Sequence, residues 1–380
     1  MTGSRREERA VPVTFISSNE QEGGAEVIMR SLMERLGPPW IRSVIFFQDG
    51  PFATQLRSNG YPVEIVPARP RLGLLAGALR LRRALRRRAA GVIHANGVRA
   101  ALVAALATAG TRRRIVWLKV DCARDGWLAR LIATRCRAVV GISNAVNETF
   151  RGRIRKRVHV TYPGAGRYQI DRAKGRTMAI ELLGCPPDAE LVVVSGRLWP
   201  SKGQLDLVEM TPRLVAERPG LRVALLGGET REYPGFEELL RRRARALDIE
   251  RAVAFLGHRG GADALRFVSG CDVLVAPSRR EAASGWKEGF GLAPVEAMSA
   301  GTPVVAYRNG SFPEVLGECA YLVAEADTDA LAAAILRVLG DDSLRQRLVD
   351  CGRRRVRDRY RWEDAARSMK RHYLAAELAR

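Results

Sequence analysis

The chain is poor in several residue types, and each shortage closes off a class of function. Its 380 residues include 6 cysteines and 4 histidines. Cys122, Cys136, Cys185, Cys271, Cys319 and Cys351 are scattered and form no C-x-x-C pair. They read as reduced cytosolic thiols, not as a disulfide or zinc framework. His94, His159, His258 and His372 show no metal-ligand spacing and read as structural. His258, after the strand ending Leu256-Gly257, is also positioned to line a cleft. The longest apolar run, around Ala100 to Ala109, is too short to cross a bilayer. Residues 1–10 are polar and predict a disordered start; the strand-like Val11-Pro12-Val13-Thr14-Phe15-Ile16 follows at once, so no signal peptide is expected. Acidic residues are outnumbered, 41 Asp and Glu against 63 Lys and Arg, giving a formal net charge of +22. Codon usage that favours arginine accounts for such an excess, and so does attraction to phosphates, anionic lipid or nucleic acid. No aromatic-rich basic strand or recognition motif accompanies the charge, so nucleic acid is not expected as a partner. The expected location is cytoplasmic, with at most a peripheral contact at the inner membrane face.

What is present is the alternation of an α/β protein. The length favours two domains, and 47% hydrophobic content is ordinary for a folded chain. Strands are expected at Val11–Ser17, Ile41–Phe47, Val63–Val66, Val92–His94, Ile115–Leu118, Ala138–Ile142 and Val158–Thr161, with helices between them such as Ala25–Leu36 and Leu74–Arg88. Residues Pro163 to Asp188 are rich in Gly, Pro and charge and read as a linker. The alternation then restarts at Leu191–Ser195 and runs through Val223–Leu226, Val253–Leu256 and Val273–Ala276. Two Rossmann-like units facing one another are therefore expected. The boundaries read as 11–168 for the first domain, 169–360 for the second, and 361–380 for a terminal helix packing back on the first.

The most informative run is Glu288-Gly289-Phe290-Gly291-Leu292-Ala293-Pro294-Val295-Glu296. The glycines permit a tight loop, and Pro294 suits the first turn of a helix. Gly301 is suited to end that helix, and Thr302-Pro303-Val304-Val305-Ala306 reads as a buried strand. One carboxylate then precedes a glycine loop at a helix start, where N–H groups face an anion, and the second lies in the helix's first turns. That is a site for a phosphate attached to a sugar. A second run, Ser195-Gly196-Arg197-Leu198-Trp199-Pro200-Ser201-Lys202-Gly203, joins a strand to a helix. Arg197 and Lys202 put two cations where a diphosphate would gain charge on leaving. A third, Glu22-Gly23-Gly24-Ala25-Glu26, turns from the first strand into the first helix.

Together these segments resemble glycosyltransferase family 4, the retaining, nucleotide-sugar-dependent enzymes of the GT-B fold. The resemblance also takes in Val92-Ile93-His94-Ala95-Asn96-Gly97, Val140-Gly141-Ile142-Ser143, Pro277-Ser278 and the tail of the glutamate segment to Val305. It implies two Rossmann-like domains across a cleft, with a C-terminal helix returning to the first. It further implies transfer of a hexose-type sugar from a UDP-sugar, with GDP- and dTDP-sugars as alternatives, to a hydroxyl of a glycolipid, polysaccharide or natural-product acceptor. Arg197 and Lys202 would hold the donor diphosphate. Glu288 would meet sugar hydroxyls, Glu296 the ribose diol, and the backbone of Gly289, Phe290, Gly291 and Leu292 the sugar and phosphate. Gly23 and Gly24 would approach the same phosphates. Departure of the diphosphate on the front face would keep the anomeric configuration. The sequence shows no D-x-D motif in a suitable loop, and no metal or other cofactor is expected.

Two departures fall on the acceptor side. Val120 stands where the family places a histidine, beside Lys119 and Asp121, which are candidates for that role. The family's Asn-Gly-Val-Asp run is replaced by Tyr162-Pro163-Gly164-Ala165-Gly166. The alternative function is accordingly a nucleotide-sugar-binding protein without transfer. From Arg69 to Arg88 there are eight arginines and no acidic residue, with Leu74, Ala78, Leu81 and Leu85 on one helical face. This reads as a surface helix packed on the first sheet, or as a contact with anionic membrane.

Overall fold

The computed structural model describes residues 10–18, 23–68, 73–87, 91–122, 126–148, 150–166 and 170–378. The expected polar start therefore lies outside the described residues, apart from Ala10. In the first half, β1 (Val13–Ser17), β2 (Ile41–Phe46), β3 (Val63–Ile65), β4 (Val92–Asn96), β5 (Arg114–Lys119), β6 (Ala138–Gly141) and β7 (Val158–Val160) form a sheet in the order β3-β2-β1-β4-β5-β6-β7. In the second, β8 (Leu191–Ser195), β9 (Arg222–Leu226), β10 (Val253–Phe255), β11 (Val273–Ala276), β12 (Val304–Tyr307) and β13 (Tyr321–Val323) follow the order β10-β9-β8-β11-β12-β13. Every neighbouring pair is parallel. Strands such as β1, β4, β6 and β11 are buried along their whole length, because helices cover both faces of a parallel sheet. This is why they read as continuous apolar runs. The two Rossmann-like parallel-sheet domains expected of a GT-B chain are present.

The chain divides into two compact units, Met1–Pro163 with Trp362–Arg380, and Gly164–Arg361. In the first, Ile16, Ile45, Trp117, Val139 and Phe150 share a core with Leu81, Ala104 and Ile132 from the helices Leu74–Arg86, Val98–Ala107 and Gly126–Arg135. The longest apolar run of the sequence is thus the core helix Val98–Ala107. The C-terminal helix Trp362–Leu378 returns to this unit and buries Trp362, Met369, Tyr373 and Ala376. It is fixed to β4 by a 2.7 Å hydrogen bond between Tyr373 Oη and His94 Nδ1. Burial lowers the His94 pKa to about 3, so the imidazole is neutral.

Two sequence readings are corrected here. Residues Arg172–Leu183, inside the expected linker, form a helix capped by Asp171, whose carboxylate accepts from the Ala173 and Lys174 N–H groups. That helix packs against Gly261–Gly270, and a Cβ on Gly175 would lie 2.3 Å from Ser269 Oγ. Gly175 serves close helix packing there, whereas composition alone reads glycine as flexibility. The second correction concerns cysteine. Cys319 and Cys351 form a disulfide with a Cα–Cα distance of 5.0 Å, and Cys122, Cys136, Cys185 and Cys271 are free and buried. The bond joins the turn before β13 to the helix Asp342–Arg359 across 32 residues, a separation that carries no pairing signal in sequence. The cysteine argument for a reducing compartment therefore falls. Among the described residues no helix is long and apolar enough to cross a membrane.

Candidate functional site

Each parallel sheet has a point where the strand order reverses, and the crevice beyond the strand C-termini there is the usual ligand position of such folds. In the second unit this is the gap between β8 and β11. Both of the most informative runs open from it. The chain leaving β8 carries Arg197 and a short turn Pro200–Lys202, and the chain leaving β11 carries Ser278 and then Glu288.

The fold brings Lys202 and Glu288 into direct contact. Lys202 Nζ lies 2.7 Å from Glu288 Oε2, and Ser278 Oγ donates to the same oxygen at 3.0 Å. The carboxylate side chain is 10% exposed and the lysine 25%, so the pair is partly desolvated but reachable from solvent. Lys202 also lies 5.2 Å from the centre of the Trp286 ring. Arg197 is exposed, with its guanidinium over Trp199 at 4.9 Å, and its carbonyl accepts from Gln204 Nε2. Lys202 and Glu288 thus form one ionic site, whereas Arg197, on the same loop after β8, lies exposed against Trp199.

The backbone around Glu288 is held by residues that the sequence reading missed. Asn309 Oδ1 accepts from the Glu288 N–H at 2.8 Å, and the Ser311 N–H donates to the Glu288 carbonyl at 3.0 Å. Asn309 in turn donates to Glu325, whose other oxygen accepts from the Arg280 N–H. This buried amide and half-buried carboxylate fix a glycine-rich loop that would otherwise be costly to order. The Asn309-Gly310 pair is a turn signal that could have drawn notice. Glu325, far along the chain, offered none. Nearby, Arg279 lies 2.5 Å from Asp206, and Tyr307 donates to that carboxylate at 2.9 Å. Burial pushes the Asp206 carboxyl pKa up, against the pull of Arg279.

Gly291 precedes the helix Leu292–Ala300 in the left-handed region, at φ 81°, and a Cβ there would lie 2.4 Å from the Phe312 ring. Conformation and space both require glycine at this position. Phe290 is buried against Tyr360 at 5.3 Å, so it anchors the loop as well as contributing backbone. Pro294 sits in the first turn of the helix, and Gly301 ends it in the left-handed conformation. Glu296 is half-buried on this helix. Gly289 and Leu292 flank Phe290 and Gly291, at the start of the same helix.

In the first unit, the reversal point lies between β1 and β4, and the helix Gly24–Leu36 starts there. Glu26 is buried, and it accepts from Ser17 Oγ at 3.1 Å and from the Gly23 N–H at 3.3 Å. Asn96 Nδ2 donates to the Ala25 carbonyl at 3.2 Å. The Gly23-Gly24 turn is therefore held at the helix start from one side only, by the Glu26 carboxylate on the Gly23 N–H, since glycine has no side chain to return a bond. At the end of β5, the fully buried Lys119 ammonium donates to the Asp121 carbonyl at 2.9 Å and carboxylate at 3.1 Å. Asp121 holds a buried charge in place, so a variant there tests the fold as well as any chemistry.

Residues 180–355, all in the second unit, match the family model described as Glycosyl transferases group 1. Over 258 residues the chain is 30% identical to a D-inositol 3-phosphate glycosyltransferase of Streptomyces avermitilis, covering 66% of this chain and 54% of the relative. It is also 30% identical over 182 residues to a GDP-mannose-dependent monoacylated alpha-(1-6)-phosphatidylinositol monomannoside mannosyltransferase of Corynebacterium glutamicum, covering 48% and 46%. The chain thus spans about half the length of these relatives. Its fold is that of Anabaena HepE, solved with UDP-glucose: the TM-score is 0.82 at 23% identity, over 94% of this chain and 98% of that one. By the matched segment, the second unit is related to the glycosyl transferases group 1 family.

Proposed function

We propose that the chain is a retaining glycosyltransferase that moves a hexose-type sugar from a nucleoside diphosphate sugar to a hydroxyl acceptor. The observation that carries this reading is the Lys202–Glu288 pair at the reversal point of the second sheet, beside the start of the helix Leu292–Ala300. An ammonium and a helix N-terminus suit a diphosphate, and an adjacent carboxylate suits sugar hydroxyls. Lys202 would release Glu288 in part to meet the phosphates, while Arg197 approaches from the same loop and Glu296 accepts from the ribose diol. As the glycosidic bond breaks, its electron pair passes to the diphosphate oxygen, whose growing charge these cations stabilise. The acceptor oxygen bonds to the anomeric carbon on the face the diphosphate leaves, and a phosphate oxygen takes its proton. Asp121, Gly23 and Gly24 remain candidates in the first unit, with no metal or other cofactor required. The family match and the glycosyltransferase relatives support the reaction class.

The donor base is the open choice, since one similar protein is GDP-mannose-dependent and another was solved with UDP-glucose. A thermal-shift panel of UDP-, GDP- and dTDP-sugars tests the reading. One nucleotide class should raise the melting temperature of the full chain. Glu296→Ala should weaken that effect, and Glu288→Ala should mainly lower turnover. No shift with any donor overturns the assignment. A second reading, donor binding without transfer, rests on Val120 in place of the family histidine. Turnover by hydrolysis or transfer excludes it.

The acceptor reading extends to a peripheral contact with anionic membrane. On the helix Leu74–Arg86, Leu75 and Leu79 are 70% and 55% exposed beside Arg80, Arg83 and Arg86. The rest of the Arg69–Arg88 run, at 69–72 and 88, lies outside the described residues. Exposed leucines among arginines suit an anionic bilayer surface. Sedimentation with phosphatidylglycerol vesicles, set against phosphatidylcholine, tests it.

A further inference from the structure

Between Ser278 and Glu288, two members of the ionic site, the chain makes an excursion through residues 279–287. Its path is fixed by hydrogen bonds at its start and within it. The Arg279 N–H donates to the Ser201 carbonyl at 2.7 Å, which ties the excursion to the turn that carries Lys202. The Glu281 N–H donates to the Trp286 carbonyl at 2.9 Å, and the Gly285 N–H to the Glu281 carbonyl at 2.8 Å, so the loop closes on itself. The Trp286 N–H donates to Ser284 Oγ at 3.0 Å, and that hydroxyl donates to the Glu281 carboxylate. From the segment after β9, Tyr233 Oη donates to the same carboxylate at 2.7 Å. Ordering a loop costs conformational entropy, and Ala282, Ala283 and Ser284 are exposed, so burial of the loop tip does not offset that cost. What the loop positions is Trp286.

Trp286 is half-buried, and Lys202 Nζ lies over its ring, 5.2 Å from the centre. The indole therefore turns its face, not its edge, toward the ammonium that meets Glu288 at 2.7 Å. The negative face of the ring quadrupole attracts a cation, but weakly beside the charge of a diphosphate. An ammonium drawn to phosphate thus bares an aromatic face next to the Glu288 carboxylate. A pyranose matches that pair of groups. Its rim carries hydroxyls that donate to a carboxylate, and its ring faces carry C–H hydrogens of partial positive charge that suit a π-face. Trp286 and Glu288, two positions apart in the chain, meet the two chemistries of one sugar. A tryptophan also offers a large contact area at little entropic cost, because its side chain has only two rotatable bonds.

We propose that Trp286 is a specificity-determining residue of the donor site, the surface on which the pyranose ring of the nucleotide sugar stacks; this rests on the donor reading above. The experiment separates the sugar from the nucleotide. Calorimetry on the full chain compares UDP with UDP-glucose, GDP with GDP-mannose and dTDP with dTDP-glucose, for the native sequence, Trp286→Leu and Trp286→Phe. Melting temperatures confirm that each protein is folded. Trp286→Leu should weaken the sugar-bearing ligand by about fivefold or more, while its parent nucleoside diphosphate stays within about twofold of the native affinity. Trp286→Phe, which keeps a smaller aromatic face, should recover most of that loss. Equal weakening of nucleotide and nucleotide sugar assigns the ring to the support of Lys202 alone and overturns the proposal, as does unchanged affinity for both. In either case the donor reading stands. If no nucleoside diphosphate or nucleotide sugar binds the native chain, the donor reading fails and the proposal falls with it.

Discussion

The two sheets share a strand order around their reversal points, yet they fill those points differently. In the second unit the point holds an ammonium and a carboxylate, Lys202 and Glu288, partly exposed at the start of a helix. In the first it holds the buried Glu26, which accepts from a serine and from the N–H of its own helix cap. Equal topology thus supports two uses of a glutamate. One is kept within reach of a ligand, and the other closes the turn from which its helix begins. The backing differs as well. Behind the second site, the helix Asp342–Arg359 packs on Leu292–Ala300 and is tied by Cys319–Cys351. Behind the first, the returning helix Trp362–Leu378 is pinned through Tyr373 and His94.

The largest expected effect comes from removing the covalent tie. Closing a loop of this length is worth roughly 3–4 kcal/mol in the chain-entropy model, so Cys351→Ser should lower stability by about that amount under non-reducing conditions. Denaturant unfolding of the variant, with and without reductant, checks it; the variant should not respond to reductant. Next is Lys202→Ala, which should slow transfer by about a hundredfold or more, as for loss of one electrostatic stabiliser. Unchanged kinetics would show that the diphosphate lies elsewhere. Glu26→Ala should behave oppositely, costing about 1–3 kcal/mol of stability through unmade buried hydrogen bonds while changing the donor KM far less than Lys202→Ala does. An equal loss of donor affinity in both variants would erase the distinction between the two points.

The smallest effect is graded with pH. The folded-state pKa of His94 is lowered by burial from 6.5 to about 3, so its contribution is complete above about pH 6.5 and is lost as pH falls toward 3. Stability should decline by up to about 1.4 kcal/mol per pH unit below that point. His372 adds in the same direction, since burial, with His159 and Arg371 nearby, lowers it to about 4. Its ring lies 4.6 Å from that of His159. Denaturant unfolding at pH 7 and pH 5 measures the slope, which should be shallower in His94→Gln. An unchanged slope would remove His94 from the account of how the returning helix is held.

Much of this was legible in the chain because it is local. The strands at Leu191–Ser195 and Val273–Ala276 match their expected ends, since buried parallel strands are short apolar runs between turn residues. The helix start at Gly291 and its end at Gly301 follow from glycine's access to the left-handed region. The linker reading of Pro163–Asp188 went astray for a related reason. Composition does not separate a glycine that bends a chain from one, such as Gly175, that lets two helices touch.

What the sequence determined by itself is therefore the period of the elements, the two-unit α/β plan, and the placing of charged residues at strand ends. Each depends on neighbours a few positions apart, where sterics and burial act directly on the chain. Tertiary structure alone decided which of those charges meet. Lys202 and Glu288 stand 86 positions apart, Asn309 and Glu325 secure the loop between them, and Cys351 reaches Cys319 only because one helix packs behind another. Those contacts are fixed by the parallel order of strands, which carries residues distant in sequence to the same edge of a sheet.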